Sequence, residues 1–93
     1  MKVTGYYHYA GGNYGKNALK VEIGNNSFYF SYKTCIAFTF GGKLYISENL
    51  WGPTTGKHLN SIDRDKKKRM KREDFEAKLK SIESGIEQIE FDI

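Results

Sequence analysis

Apolar and polar residues alternate along much of the first half of the chain, and a period of two is typical of β-strands with one buried face. The positions that this alternation turns inward are Leu19, Val21, Ile23, Phe28, Phe30, Tyr32, Ile36, Phe38, Phe40, Leu44 and Ile46. Turn residues separate the runs at Gly24-Asn25-Asn26 and at Gly41-Gly42, since Gly and Asn tolerate positive φ. With a first strand at 3–9, the pattern predicts an antiparallel β-meander of four to six strands.

The alternation ends at Gly52-Pro53, because proline lacks the N–H group that strand pairing requires. Thr54 or Thr55 is predicted to cap a short helix that runs through about Ile62.

A longer helix is predicted from roughly residue 70 to 84. Apolar residues at Phe75, Leu79, Ile82 and Ile86 are spaced by four, three and four, which places them on one face of a helix. Gly85 is a suitable residue to follow the helix end, and the alternation of residues 89–93 then suggests a terminal strand.

These elements predict an α+β fold, with a meander packed against one main C-terminal helix and a short helix. A chain of 93 residues forms one domain. Residues 1–48 are mainly sheet, 49–63 a loop and short helix, and 64–93 a basic segment, helix and possible terminal strand. The single cysteine, Cys35, excludes an internal disulfide and suits a reducing compartment. Without an apolar leader at its start, the chain is expected in the cytoplasm of a bacterial host cell.

Positive charge is concentrated in residues 64–72, which contain seven Lys or Arg and one Asp, and an acidic stretch follows. Such a run can contact a phosphate backbone or an acidic protein groove. Alternatively, the segment is simply solvated, and the negative charge of the acidic residues that follow balances its positive charge. The cations of this segment are Arg64, Lys66, Lys67, Lys68, Arg69, Lys71 and Arg72.

Tyrosines crowd a short Gly-rich region near the start of the chain, where Tyr6, Tyr7 and Tyr14 lie. A strand buries only one face, so some of these rings should face outward and be available for binding. Alternatively, the rings cover both sides of the sheet.

Catalytic chemistry is weakly supported by the sequence. Cys35 with His58 or His8 is conceivable as a pair, but Cys35 lies in an apolar strand where a packed thiol is expected. The Gly-rich segment lacks the ending of a phosphate-binding loop, and one Cys and two His are too few for a typical zinc site. No catalytic residue, metal or cofactor is predicted, and the protein is expected not to be an enzyme.

Residues from Ser31 to about Ile62 carry a pattern of three parts. The parts are Ser31, Tyr32, Thr34, Ala37 and Phe38; then Gly42, Lys43, Leu44 and Tyr45; then Thr54, Thr55, Lys57, His58 and Asn60. This stretch resembles an uncharacterised family of small phage and plasmid proteins, although Trp51-Gly52-Pro53 departs from the family's usual turn. The resemblance implies a gene of a mobile element and, by analogy, an inhibitor of host defence such as an anti-CRISPR protein.

The functional prediction is therefore an anti-defence protein, and more specifically an anti-CRISPR inhibitor that binds a Cas effector or its guide-RNA complex stoichiometrically. The alternative is a small nucleic-acid-binding protein of a phage or plasmid, and a structural or assembly role is a third possibility. The predicted contacts, besides the seven cations of 64–72, are Trp51, Tyr6, Tyr7, Tyr14, Lys57 and His58.

Overall fold

Within the described residues, six strands form one sheet in the order β1-β2-β3-β4-β5-β6, and two helices pack on its opposite faces. The computed structural model describes residues 1–7 and 17–91, with side chains to Ile82. The strands are β1 (Lys2–Gly5), β2 (Ala18–Ile23), β3 (Asn26–Ser31), β4 (Thr34–Phe40), β5 (Lys43–Ser47) and β6 (Arg69–Met70). The helices are α1 (Pro53–Ile62) and α2 (Arg72–Phe91), with a 3₁₀ turn at Lys66–Lys68. The α+β prediction is confirmed.

The first five strands form the predicted meander, and each pairs antiparallel with the next. Gly41 and Gly42 both have positive φ, at 59° and 78°, which suits a tight two-residue hairpin. A strand at Arg69–Met70 was not predicted. It is only two residues long, lies within the basic segment and pairs parallel with β5, so the sheet is mixed. A parallel neighbour requires a crossover, and α1 provides it between β5 and β6.

Helix α2 covers one face of the sheet. Phe75 is fully buried against Phe38, with ring centroids 5.2 Å apart, and Leu79 and Ile82 continue the contact. Phe28 lies on the other side of Phe38, at 6.2 Å. This aromatic core confirms the predicted inward stripe of the helix for the three residues whose side chains are described.

A bulge in the β3–β4 pair changes which residues of β4 share a face. The register moves between Tyr29 and Phe30, so that Cys35 and Phe38 face α2 while Ile36 and Ala37 face α1. An extra residue in one strand reverses the alternation beyond it. The expectation that Ile36, Phe38 and Phe40 share an inward face was therefore wrong.

The strand ends depart from the alternation as well. Phe40 is 41% exposed at the end of β4. Tyr32 leaves the sheet at the β3–β4 turn, with φ of 57°, and is 51% exposed. Its predicted inward position was wrong because the turn comes one residue earlier than the pattern suggested.

The helix ends also differ from the predictions. Helix α1 begins at Pro53 rather than after Thr54, and Gly52 at its N-cap provides no side chain to cap it. Helix α2 continues past Gly85 to Phe91, so residues 89–91 do not form the suggested terminal strand, and residues 92–93 lie outside the described part. A single glycine within a helix costs only about 1 kcal/mol relative to alanine, which does not by itself end the helix.

Candidate contact surface around helix α1

Helix α1 packs on the sheet through one side and leaves the other in solvent. Leu59 is buried with Ile36, Ala37 and Ile46, and Ile62 borders this cluster. Residues three and four apart share a helix face. Lys57, Asn60 and Ser61 are accordingly exposed, and they form the outer side of the helix.

A buried polar cluster fixes the start of α1 to the end of β3. The Ser31 hydroxyl lies 2.7 Å from His58 Nδ1 and 3.0 Å from the Thr55 hydroxyl. His58 is 0% exposed, and Ser31 and Thr55 are also buried. Buried polar groups must be paired to avoid a desolvation penalty, so this cluster specifies how the helix sits on the sheet.

Aromatic rings surround the imidazole of His58. The ring of Tyr7 lies 5.1 Å away, that of Tyr6 6.1 Å and that of Tyr32 6.2 Å. Tyr6 also donates a hydrogen bond from its hydroxyl to the Phe30 carbonyl at 2.9 Å. Tyr6 and His58 therefore belong to the structural framework, and the predicted role of His58 as a surface contact conflicts with its complete burial.

Burial lowers the pKa of His58 below its ordinary value, because the charged imidazolium loses hydration. The imidazole is consequently neutral at pH 7. A Ser–His pair resembles a nucleophile with its base, but a base must become charged when it takes the proton. Since burial disfavours that charge, the Ser31–His58 hydrogen bond is better suited to holding α1 in place.

Stability should fall as the pH is lowered from 7.5 to 5.5. In the unfolded chain, His58 takes up a proton as the pH drops through about 6.5, whereas the folded pKa is lower. Between these two values the unfolded state binds more protons, so the free energy of unfolding decreases with falling pH and levels off below the folded pKa. Melting temperatures at a series of pH values provide the measurement. His58→Asn is the control, because its melting temperature should depend less on pH over this interval, and an equal dependence in both proteins would contradict the assignment.

A cleft opens beside this cluster, at the start of α1. It has a volume of about 360 Å³ and is called here the aromatic cleft. Its lining residues are Ser31, Tyr32, Thr34, Ile36, Trp51, Gly52, Pro53, Thr54 and Thr55. Tyr32 and Trp51 are 51% and 44% exposed, and four hydroxyl-bearing residues supply most of the remaining lining. The cleft therefore combines exposed aromatic faces with hydrogen-bonding groups.

Trp51 is held in position by Arg72, the first residue of α2. The guanidinium carbon of Arg72 lies 5.0 Å from the Trp51 ring centroid and 4.8 Å from that of Phe75. Arg72 also donates from Nη1 to the Cys35 carbonyl and from Nε to Glu76, both at 2.9 Å. These contacts leave the Arg72 side chain only 15% exposed. Arg72 therefore supports the indole from behind, and this role reduces its availability to a partner.

A second depression follows the outer side of α1 and is called here the basic groove. It is lined by Tyr7, Lys57, Asn60, Ser61 and Arg64. Pro53 of the aromatic cleft and Lys57 are four residues apart, so the cleft and the groove lie on the same side of the helix. Together they are the α1 surface.

The basic segment 64–72 is divided among different roles. Lys68 pairs with Asp63 at 3.2 Å, and Arg69 donates from Nη2 to the Asn60 side-chain oxygen at 2.8 Å. The Nε atom of Arg69 is buried without a hydrogen-bond partner among the described residues. Lys66, Lys67 and Lys71 are exposed, and no salt bridge joins them to a described carboxylate.

The structure brings some of the sequence-predicted contact residues together. Tyr7, Lys57 and Arg64 line the basic groove, and Trp51 lines the aromatic cleft at the start of the same helix. Tyr14 lies outside the described residues. Tyr32 was not predicted as a contact residue, because the alternation assigned it an inward position. Tyr32 and Lys33 lie between two strand patterns, and this position was the signal for a turn that exposes the ring.

Candidate metal ligands do not gather in the described part of the chain, where no group of three or more His, Cys, Asp or Glu residues is placed to hold a metal ion. Cys35 is buried in the core on the α2 side of the sheet. Among the described helices, none is both long enough and apolar enough to cross a membrane.

The described fold and surface define a small α+β protein whose mixed six-stranded sheet carries one helix on each face. The chain belongs to DUF8033, a family of unknown function, whose family model matches residues 1–77. The match includes all six strands, α1 and the first turns of α2. No curated protein and no solved structure matches the chain. The expectation of an uncharacterised family is therefore confirmed.

Proposed function

We propose that the protein acts by stoichiometric binding rather than catalysis, as an anti-defence inhibitor of a phage or another mobile element. Its partner in this proposal is a Cas effector or the guide-RNA complex of that effector. The observation that carries the binding role is the α1 surface, where Tyr32 and Trp51 remain exposed at the start of the helix and the cations Lys57 and Arg64 line the groove along its outer side. The anti-CRISPR role adds the analogy drawn from the three-part pattern.

Preorganisation supports the binding role. Tryptophan and tyrosine are common among the residues that contribute most to binding, and binding is stronger when they need not be ordered first. Trp51 is stacked on Arg72, and its backbone N–H donates to the Asn49 side-chain oxygen at 3.0 Å. Its ring is thus already fixed while a large part of it stays exposed.

A second candidate function is direct binding of phage or plasmid DNA or RNA. The exposed side chains of Lys66, Lys67 and Lys71, which form no salt bridge with a described carboxylate, favour it. Binding through phosphate contacts weakens steeply with salt, whereas docking on a protein through aromatic residues weakens less. A salt series therefore separates the two functions.

Capture of the partner is the primary test. Tagged protein should retain a defence effector from lysate of a host cell, both with and without nuclease treatment. Titration of the purified effector should then give an inhibition endpoint near one inhibitor per effector. Inhibition that is complete at a small fraction of one equivalent would contradict the binding role, and retention of only nucleic acid would favour the second candidate.

Charge reversal tests how much the exposed lysines contribute. Lys66→Glu, Lys67→Glu and Lys71→Glu together should reduce the rate of association with the captured partner and also the salt dependence of that rate. The reason is that surface charges act mainly on the diffusional encounter of the two molecules. Single exposed charges contribute only about 0–1 kcal/mol, so each single variant should change little. Arg69 and Arg72 are left unchanged, since their hydrogen bonds stabilise the fold. Surface plasmon resonance at two salt concentrations is the measurement, and unchanged association would remove these lysines from the interface.

A further inference from the structure

We infer that the α1 surface binds a short segment of single-stranded nucleic acid, with a base in the aromatic cleft and phosphates in the basic groove. This inference deepens the proposed function and rests on it in one respect, that the strand belongs to the nucleic acid of the partner complex. It is based on the aromatic faces, hydroxyl groups and cations that lie around one helix.

The cleft at the start of this path carries rings that can stack on bases. Trp51 and Tyr32 line it, and both are exposed. Arg72 covers one side of the Trp51 indole, while the residue as a whole remains 44% exposed. Stacking on an aromatic side chain is tolerant of base identity, since every base has a π face.

The lining of the cleft favours a base over an apolar protein side chain. Apart from its aromatic walls and Ile36, the cleft is lined largely by the hydroxyl-bearing residues Ser31, Thr34, Thr54 and Thr55. The Ser31 hydroxyl already bonds to Thr55 and to His58, so Thr34 and Thr54 carry the hydroxyls that an aliphatic or phenyl group would cover without offering hydrogen bonds, which costs free energy. The edge of a base offers both donors and acceptors, so it can satisfy them.

The charges along the path complement a phosphate backbone. Lys57 and Arg64 both line the groove, and none of its described lining residues carries a carboxylate. Asp63 and Asp65 flank Arg64 in sequence. The Asp65 carboxylate accepts from the Lys67 N–H at 3.0 Å, and Asp63 is engaged by Lys68 at 3.2 Å and by the Asp65 N–H at 2.9 Å. These contacts lower the pKa of Asp63, so its charge is retained but is directed into an ion pair.

The length of the path fits a few nucleotides. Nine residues of α1, from Thr54 to Ile62, span about 12 Å along the helix axis. Stacked nucleotides repeat at about 3.4 Å along a strand, so the surface accommodates about four. An acidic peptide would meet the same cations, but its carboxylate side chains have no planar ring to stack on Trp51 and Tyr32, and the observations therefore favour a strand.

Direct titration tests the inference, because Trp51 is the only tryptophan of the chain. Eight-nucleotide oligouridylate and oligothymidylate, added to the intact protein, should quench Trp51 fluorescence saturably and more strongly at low salt. A duplex of the same length should bind more weakly, because its bases are already stacked and paired. Absence of quenching by both oligonucleotides, or quenching by an oligoglutamate peptide instead, would overturn the inference.

Variants assign the binding to the α1 surface, with fluorescence anisotropy of a labelled oligonucleotide as the readout. Lys57→Glu with Arg64→Glu should lower the affinity and reduce the slope of log K against log salt by about 1.4, the value for two phosphate contacts on a single strand. Tyr32→Ala, at an exposed turn, should lower the affinity by roughly 5- to 150-fold, the range measured for loss of one stacked base.

The matched control is Lys2→Glu with Lys80→Glu, which makes the same change of net charge at exposed positions outside the α1 surface. Its affinity should remain close to that of the original protein. An equal loss in the control would mean that net charge alone governs the binding and would contradict the inference. If the Lys57–Arg64 variant keeps the oligonucleotide affinity of the original protein, the strand site is wrong, while capture and inhibition of the effector by the original protein would still support the proposed function. If the original protein captures no effector but binds the oligonucleotides, the proposed function is wrong and the strand site stands.

Discussion

Phe75→Ala is expected to lower the free energy of unfolding by about 3–5 kcal/mol, a large part of the stability of so small a domain. The Phe75 ring is fully buried, packs on Phe38 and also contacts the Arg72 guanidinium. Its removal leaves a cavity between α2 and the sheet that the surrounding aromatic residues cannot fill without moving. It also removes one of the two rings that position Arg72.

Urea denaturation followed by circular dichroism measures this change. Lys80→Ala is the matched control, because it truncates an exposed side chain on the same helix and should alter stability little. If Phe75→Ala unfolds the protein completely, the milder Leu79→Ala should still give a measurable loss of about 2–5 kcal/mol. Equal stabilities of Phe75→Ala and Lys80→Ala would show that α2 does not pack on this face.

His58→Ala is expected to have the second largest effect, a loss of about 2–4 kcal/mol from a lost hydrogen bond and a new cavity. The imidazole is fully buried among the rings of Tyr6, Tyr7 and Tyr32, and it is bonded to Ser31. Without it, the Ser31 hydroxyl loses one of its partners in a buried site. Helix α1 should then be held less firmly against the end of β3.

A double-mutant cycle with Ser31→Ala isolates the hydrogen bond from the packing. Two residues in one buried network usually show a coupling of about 0.5–3 kcal/mol, so the double variant should be more stable than the sum of the single losses implies. Lys57→Ala, on the outer side of the same helix, is the control for truncation alone. Additive losses would indicate that the 2.7 Å Ser31–His58 contact contributes little to stability.

The sequence predicted the meander well because hydrophobic alternation and turn residues are local signals. Gly41 and Gly42 marked a hairpin that the structure contains, and the spacing of Phe75, Leu79 and Ile82 gave the buried side of α2. The same signals failed where one local pattern is compatible with more than one strand register. Ile36 lies at a bulge, and the alternation beyond an extra residue reverses without any change of composition.

The candidate site was predictable only in part. Trp51 and the cations stood out as residue types that bind partners, and four of the predicted contacts do meet around α1. The high density of Lys and Arg in residues 64–72 did not reveal which of these cations would form contacts within the folded protein. Arg72 is engaged under Trp51, and Arg69 bonds to Asn60, because β6 carries the end of the basic segment into the sheet.

By itself, the sequence determined the fold class, the order of the meander strands, the inward side of α2 and the position of the positive charge. These features depend on periodicity and composition, which neighbouring residues along the chain already specify. Only the tertiary structure decided that Ser31, Thr55 and His58 form one buried cluster and that Tyr32 and Trp51 line one cleft. The residues of these groups come from β3 or the turn after it and from α1 or the loop before it, so they are distant in sequence. Their meeting depends on the crossover of α1 over the sheet, and no local pattern contains that information.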